Sequence, residues 1–381
     1  MRRARVLRGL TLVIAVVMTV AGTTAVRAAD PIKVGLVASL TSDFALVGIL
    51  QKNAAVMAVD EFNAAGGAAG RPVQLLIEDG GNSNTVALGA LNKVLASDPV
   101  VFLAPLWGTQ LLAMLPTVEK TGVPTLSTTG TRKVTQLGNR WYFRYFPHDG
   151  ITKTAATEFA VNELGKKKVA ILYVANEYGQ SGRDIIVDAL KKHGLAPVAM
   201  ESHNATDKDM SGQLTRVKRS GADVIISQAH PADTALLLKK QRELSVDIPH
   251  VASSAASQPA MLKLVSDADI NGVYVETAAV PAIDPRPAVQ RWIKAYEEKF
   301  KTTPDVFALL YYDMTRMALQ AVKEVGPDRE KVRGWLERTR SEGMATTYVC
   351  DAEHNCNHTA VIIRYDGKTP VIVKTYDYTP K

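Results

Sequence analysis

Signatures of catalysis are missing from this sequence. It has no GxSxG elbow, no HExxH zinc motif, no CxxC pair and no phosphate-binding P-loop. The glycine-rich stretch Asn63–Pro72 (NAAGGAAGRP) lies between a helical pattern and a strand pattern. Phosphate loops run the other way, from strand to helix, and present amides at the helix start. The histidines are scattered, at 148, 193, 203, 230, 250, 354 and 358, and no pair outside the C-terminal loop has ligand spacing. A triad assembled only in three dimensions stays open. Otherwise the reading is of no enzyme, no metal and no cofactor. After residue 28 no apolar run approaches the roughly 20 residues of a membrane span, and no tract is biased enough to read as disordered.

Cysteine is almost absent. The only two, Cys350 and Cys356, stand in CDAEHNC near the C-terminus. In an oxidising compartment this spacing reads as a disulfide closing a small loop, at the tip of a hairpin. Two readings remain beside it: a metal site of Cys350, His354, Cys356 and His358, and two free thiols.

What is present begins with a targeting pattern. Arg2, Arg3, Arg5 and Arg8 precede an apolar run from Gly9 to Gly22, and Val26 and Ala28 suit a peptidase site after Ala28. Residues 1–28 therefore read as a cleaved signal peptide, with an uncleaved anchor as the alternative. No cysteine follows the apolar run, which argues against a lipid anchor, and a freely soluble exported chain implies a periplasm. The whole-chain charge of +7 belongs largely to this segment: without its five arginines, 40 basic residues face 38 acids, a net of +2. Nucleic-acid binding, which wants a basic stripe interleaved with aromatics, is not indicated.

The remaining length exceeds one ordinary core and suggests two lobes. Ile32–Ala38 (IKVGLVA) reads as a strand buried on both faces. Strand and helix patterns alternate from there: helix 48–65, strand 73–78, helix 84–97, strand 100–104, helix 109–121, strand 123–127. The grammar restarts after Phe146-Pro147-His148-Asp149, with Asp149 placed as a helix cap, and ends in a hairpin around Asp366-Gly367. Such alternation predicts α/β lobes with doubly wound parallel sheets.

Several stretches carry a family likeness. Ile32–Thr41 (IKVGLVASLT), Phe62–Gly70 (FNAAGGAAG), Glu119–Pro124 (EKTGVP), Phe143-Arg144 with Asp149, and Asn176–Gly179 (NEYG) occur in the order and spacing of one family. The chain resembles the periplasmic leucine/isoleucine/valine-binding protein family, the receptors of branched-chain amino-acid-type ABC transporters. The resemblance covers nearly the whole chain after residue 28. It implies a type I periplasmic binding protein fold with three crossings, near 147–150, 276–280 and 343–347. Lobe 1 would hold residues 29–148 and 279–345, and lobe 2 residues 149–278 and 346–381.

The resemblance also implies a site. Ser127, Thr129, Gly130 and Thr131 stand where family members hold a ligand carboxylate. Trp107, Gly108 and Thr109 should line the same lobe, with Phe44 from the first loop as a cap. Tyr178 matches the family's second-lobe aromatic, and His230 and Ser253 follow second-lobe strands. One departure is specific: amino-acid-binding members place an acid after a second-lobe strand, whereas here the stretch reads Val251-Ala252-Ser253-Ser254-Ala255. Glu276 is the expected substitute if it points inward; otherwise the ligand lacks an ammonium group. The implied partners are a small ligand, amino acid or organic acid, and an inner-membrane permease, for a monomeric receptor. A periplasmic sensor with the same fold is the alternative.

Overall fold

The structure is a computed structural model that describes residues 30–41 and 45–380. The expected signal peptide and its cleavage point, and Phe44, lie outside the described residues. Among these, no helix is long and apolar enough to cross a membrane.

Five parallel strands form the first sheet: β1 (Ile32–Ala38), β2 (Val73–Asp79), β3 (Val101–Leu103), β4 (Thr125–Ser127) and β5 (Tyr142–Arg144), in the order β2-β1-β3-β4-β5. Side-chain alternation divides β1 between two cores. Ile32, Val34 and Leu36 pack on the helix Ala45–Ala64, and Val37 packs on the helices Asn84–Leu95 and Gly108–Thr121. Gly35 is needed on the second face, where a Cβ would stand 2.1 Å from Val94 Cγ1. The first helix ends as its glycines predict, with Gly66 and Gly67 at φ 93° and 65°.

The second sheet has β6 (Val169–Val174), β7 (Ala199–His203), β8 (Val224–Gln228), β9 (His250–Ala252) and β10 (Tyr274–Thr277) in parallel, ordered β7-β6-β8-β9-β10. Relative to its own first strand this is the order of the first sheet, so the chain winds the same α/β pattern twice. A short ribbon, β11 (Ser341–Glu342) with β12 (Thr347–Tyr348), stands apart from both sheets. The antiparallel hairpin β13 (Thr359–Asp366) and β14 (Thr369–Asp377) then joins the free side of β10.

The lobes are not continuous in sequence. The helix Val306–Val325 packs in one core with β1 and the helix Ala45–Ala64, and Tyr296 Oη donates to Leu50 O at 2.8 Å. The chain passes to the second sheet after β5 and returns after β10. Its third passage lies later than 343–347: Arg144 of β5 still bridges to Asn355, so the loop before β13 remains with the first sheet. That loop is closed by a Cys350–Cys356 disulfide. Neither sulfur is therefore a thiolate ligand, and the loop is not a hairpin tip but lies against β5.

Candidate ligand-binding site

In a doubly wound sheet each strand's carboxyl end leads into a helix start. Both sheets aim these ends at one cavity of about 220 Å³. Trp107 precedes the helix Gly108–Thr121, Asn176 caps Glu177–Lys192, and His230 precedes Pro231–Glu243. All three residues line the cavity. The first amides of a helix have no intrahelical acceptor, and that end is positive. The cavity is thus rimmed by groups that favour a negatively charged ligand.

Thr129, Gly130 and Thr131 line the first-lobe wall beside Trp107, Gly108 and Thr109. They follow β4, and their loop is anchored from behind: buried Arg144 donates Nη2 to Thr131 O at 2.8 Å and Nη1 to Gly130 O at 3.3 Å. Gln51 Nε2 donates to Thr128 Oγ1 at 3.0 Å. Gly108 must be glycine to sit here, because a Cβ would lie 2.2 Å from Thr131 Oγ1. Ser127 does not reach the cavity. It is fully buried, with its hydroxyl 2.8 Å from Tyr142 Oη.

The second-lobe wall is aromatic. Tyr178 and His230 stack at 5.1 Å and 16°, and Trp107 meets His230 edge-on across the cleft at 6.0 Å and 75°. Asn176 Nδ2 lies 3.1 Å from His230 Nε2. Burial lowers the imidazole's pKa below its usual value, which favours its neutral form. Phe146 and Phe307, stacked at 5.3 Å, close the floor.

The acid at this site is Asp149. Its reading as a helix cap gives way to another role: His148 holds the cap position, Asp149 opens the helix Asp149–Glu158, and the residue lines the cavity. Oδ1 accepts from Gln228 Nε2 at 3.3 Å, whereas buried Oδ2 has no partner among the described residues. Burial raises its pKa to about 6, against the opposing pull of Lys153. Asp149 N donates to Gly130 O at 2.8 Å, which sets the acid directly beside the polar loop.

Glu276 does not supply a charge to the cavity. It is turned into lobe 2, where Oε1 meets Lys153 Nζ at 2.9 Å and accepts from Ser254 N at 3.1 Å. Ser253 is likewise turned away and donates Oγ to Ala229 O at 3.0 Å, while its neighbours Ser254 and Ala255 line the wall. Sequence reasoning missed Gln110 and Gln258 as well. Gln110 follows Thr109 at a helix start and could have been found by extending that motif; Gln258 carries no local signal.

Two lobes of one strand order, meeting at a cavity at their strand ends, define a two-lobed binding protein of the type I class. The chain belongs to the periplasmic binding protein family, whose model it matches over residues 31–369. The leucine-, isoleucine-, valine-, threonine- and alanine-binding protein of Pseudomonas aeruginosa is 23% identical over 308 residues, 80% of this chain and 82% of that one. An isoleucine complex of a branched-chain amino-acid transporter substrate-binding protein from Streptococcus pneumoniae has the same fold. Its TM-score is 0.82 at 22% identity, covering 92% of this chain and 100% of that one. A solute-binding protein from R. palustris in complex with benzoate gives 0.81 at 18%, covering 91% and 96%. The family and fold are those of binding proteins rather than enzymes.

Proposed function

We propose that this protein is the periplasmic solute receptor of an ABC importer, and that it takes a small carboxylate-bearing ligand by closing its lobes on the cavity. One observation carries the reading: the polar loop Thr129–Thr131 and the helix start at Gly108 line the same cavity as Asp149, a buried acid with one oxygen that has no hydrogen-bond partner among the described residues. The loop and the helix amides suit a carboxylate. Asp149 Oδ2 suits an ammonium group on the adjacent atom, in the place of the acid absent from 251–255. The aromatic wall suits an apolar side chain. A cavity of about 220 Å³ is smaller than the roughly 300–1,000 Å³ of drug-sized sites, which fits an amino acid. Closure would follow from a ligand that binds the closed state better than the open one, and the permease would receive the closed form. The names of the relatives, amino-acid binders and a benzoate complex, support the ligand class.

The test is a thermal-shift and calorimetric panel of amino acids, aromatic and aliphatic acids, and neutral sugars. Amino acids are expected to raise the melting temperature in proportion to the logarithm of their concentration and to remain unchanged. Stabilisation by sugars alone would overturn the reading.

The pH dependence identifies the ammonium partner. Asp149 titrates near 6 in the free protein, and pairing with an ammonium lowers that value. Below pH 6 such a ligand must displace a proton, so its affinity is expected to fall by up to about tenfold per pH unit. Above pH 7 the affinity should be flat. A plain acid would prefer protonated Asp149 and give the opposite slope. Asp149→Asn is expected to weaken amino-acid binding and remove the slope; a slope that survives in this variant would rule Asp149 out.

A further inference from the structure

The disulfide-closed loop 350–356 makes its contacts on the strand that backs the polar loop. Arg144 N donates to His354 O at 2.9 Å, and Cys356 N donates to Arg144 O at 2.8 Å. The loop therefore runs as a one-bridge parallel strand beside β5. The His354 ring stacks on Phe143 at 4.4 Å and 6°, and its Nδ1 lies 3.1 Å from Tyr142 O. Inside the loop, the Asp351 carboxylate accepts from Asn355 N and Nδ2. His354 sits at φ 59°, in the left-handed region that few non-glycine residues occupy.

From this loop two routes converge on the Arg144 guanidinium behind residues 129–131. One is Arg144, whose backbone is clamped by the loop and whose guanidinium holds the carbonyls of Gly130 and Thr131. The other is Thr135, which donates Oγ1 to Asn355 Oδ1 at 3.3 Å and accepts from Arg144 Nη2 at 3.4 Å. In a planar trans peptide, a carbonyl turned towards Arg144 turns the following amide away from it. We propose that the disulfide-closed loop 350–356 is a positioning element for the ligand loop. It fixes β5 and Arg144 so that the amides and hydroxyls of 129–131 are set before ligand arrives. This rests on the carboxylate site proposed above, although the positioning itself can be read without ligand.

The experiment is hydrogen–deuterium exchange of residues 128–135 in the ligand-free protein, with calorimetric titration of the best ligand of the panel in parallel. Cys350→Ser with Cys356→Ser, and Asn355→Ala, are compared with the wild type. Both variants are expected to exchange at least about fivefold faster in 128–135 and to bind about fivefold to tenfold more weakly, the worth of one to two hydrogen bonds. Exchange in β3 and β8 should stay as in the wild type. Unchanged exchange in 128–135 overturns the proposal. So does faster exchange spread evenly over the molecule, which would mark general destabilisation. If the double serine variant does not fold, Asn355→Ala, which keeps the disulfide, decides by the same readout. A wild type that binds no panel compound, with variants that still loosen 128–135, supports the positioning role and overturns the ligand reading instead.

Discussion

A Lys153→Met variant is expected to lose about 3–5 kcal/mol of folding stability, the cost of leaving a buried charge without its partner. Lys153 lies in the helix Asp149–Glu158 with its side chain 0% exposed, and Glu276 faces it at 3%. Lys153 Nζ also donates to Ser227 O at 3.3 Å, so one ammonium ties the first helix of lobe 2 to β8 and to the end of β10. Glu276 in turn holds Ser254 N, on the cavity wall. With methionine at 153 the carboxylate stays in the interior with only that amide. Glu276→Gln removes the orphaned charge and keeps an oxygen for Ser254 N. The double variant should therefore recover most of the loss, giving a strong coupling between the two sites. Urea unfolding of the single and double variants measures it; a single variant within about 1 kcal/mol of wild type would show the pair to be dispensable.

The second large effect is expected at Gly130. A Cβ there would lie 2.7 Å from Asp149 Oδ1 and 3.7 Å from Phe146 Cε1. Asp149 cannot step aside freely, since Gln228 holds its side chain and Gly130 O holds its amide. Gly130→Ala must therefore push the polar loop away from the start of the second lobe, where closure brings them together. Overpacking of this kind costs about 1–3 kcal/mol, which corresponds to a roughly tenfold to hundredfold loss of ligand affinity. Residue 130 lies between the buried Thr129 and Thr131, so part of the same cost should also appear as a lower melting temperature of the free protein. Calorimetry with the best ligand reads the effect, and wild-type affinity would refute the close approach.

These two sites also show what the sequence could and could not convey. Buried runs such as Val169–Val174 declare parallel strands, because apolar residues on both faces need helices on both faces. Positions that directly follow a strand, Trp107–Thr109 and Thr129–Thr131, were legible for the same reason: strand ends in this architecture lead to one crevice. Direction was not legible. Ser127 and Ser253 sit at strand ends too, yet one turns to Tyr142 and the other to Ala229 O. Asp149 gives the sequence signal of a helix start, and only Gly130 and Gln228, distant in the chain, make it a cavity wall. Whether Glu276 points inward is equally hidden, because nothing local reveals Lys153, which lies 123 residues away.

The shared core of β1, the helix Ala45–Ala64 and the helix Val306–Val325 bears on how the chain comes to be folded. When the first 300 residues have been made, the core between the first sheet and the helix Ala45–Ala64 still lacks the helix Val306–Val325, and the second sheet still lacks its hairpin. Neither half can finish ahead of the other, so folding is expected to be a late, single event governed by pairings remote in sequence, and correspondingly slow. A fragment ending before Val306 should behave as an unfolded chain rather than as one intact lobe with a tail.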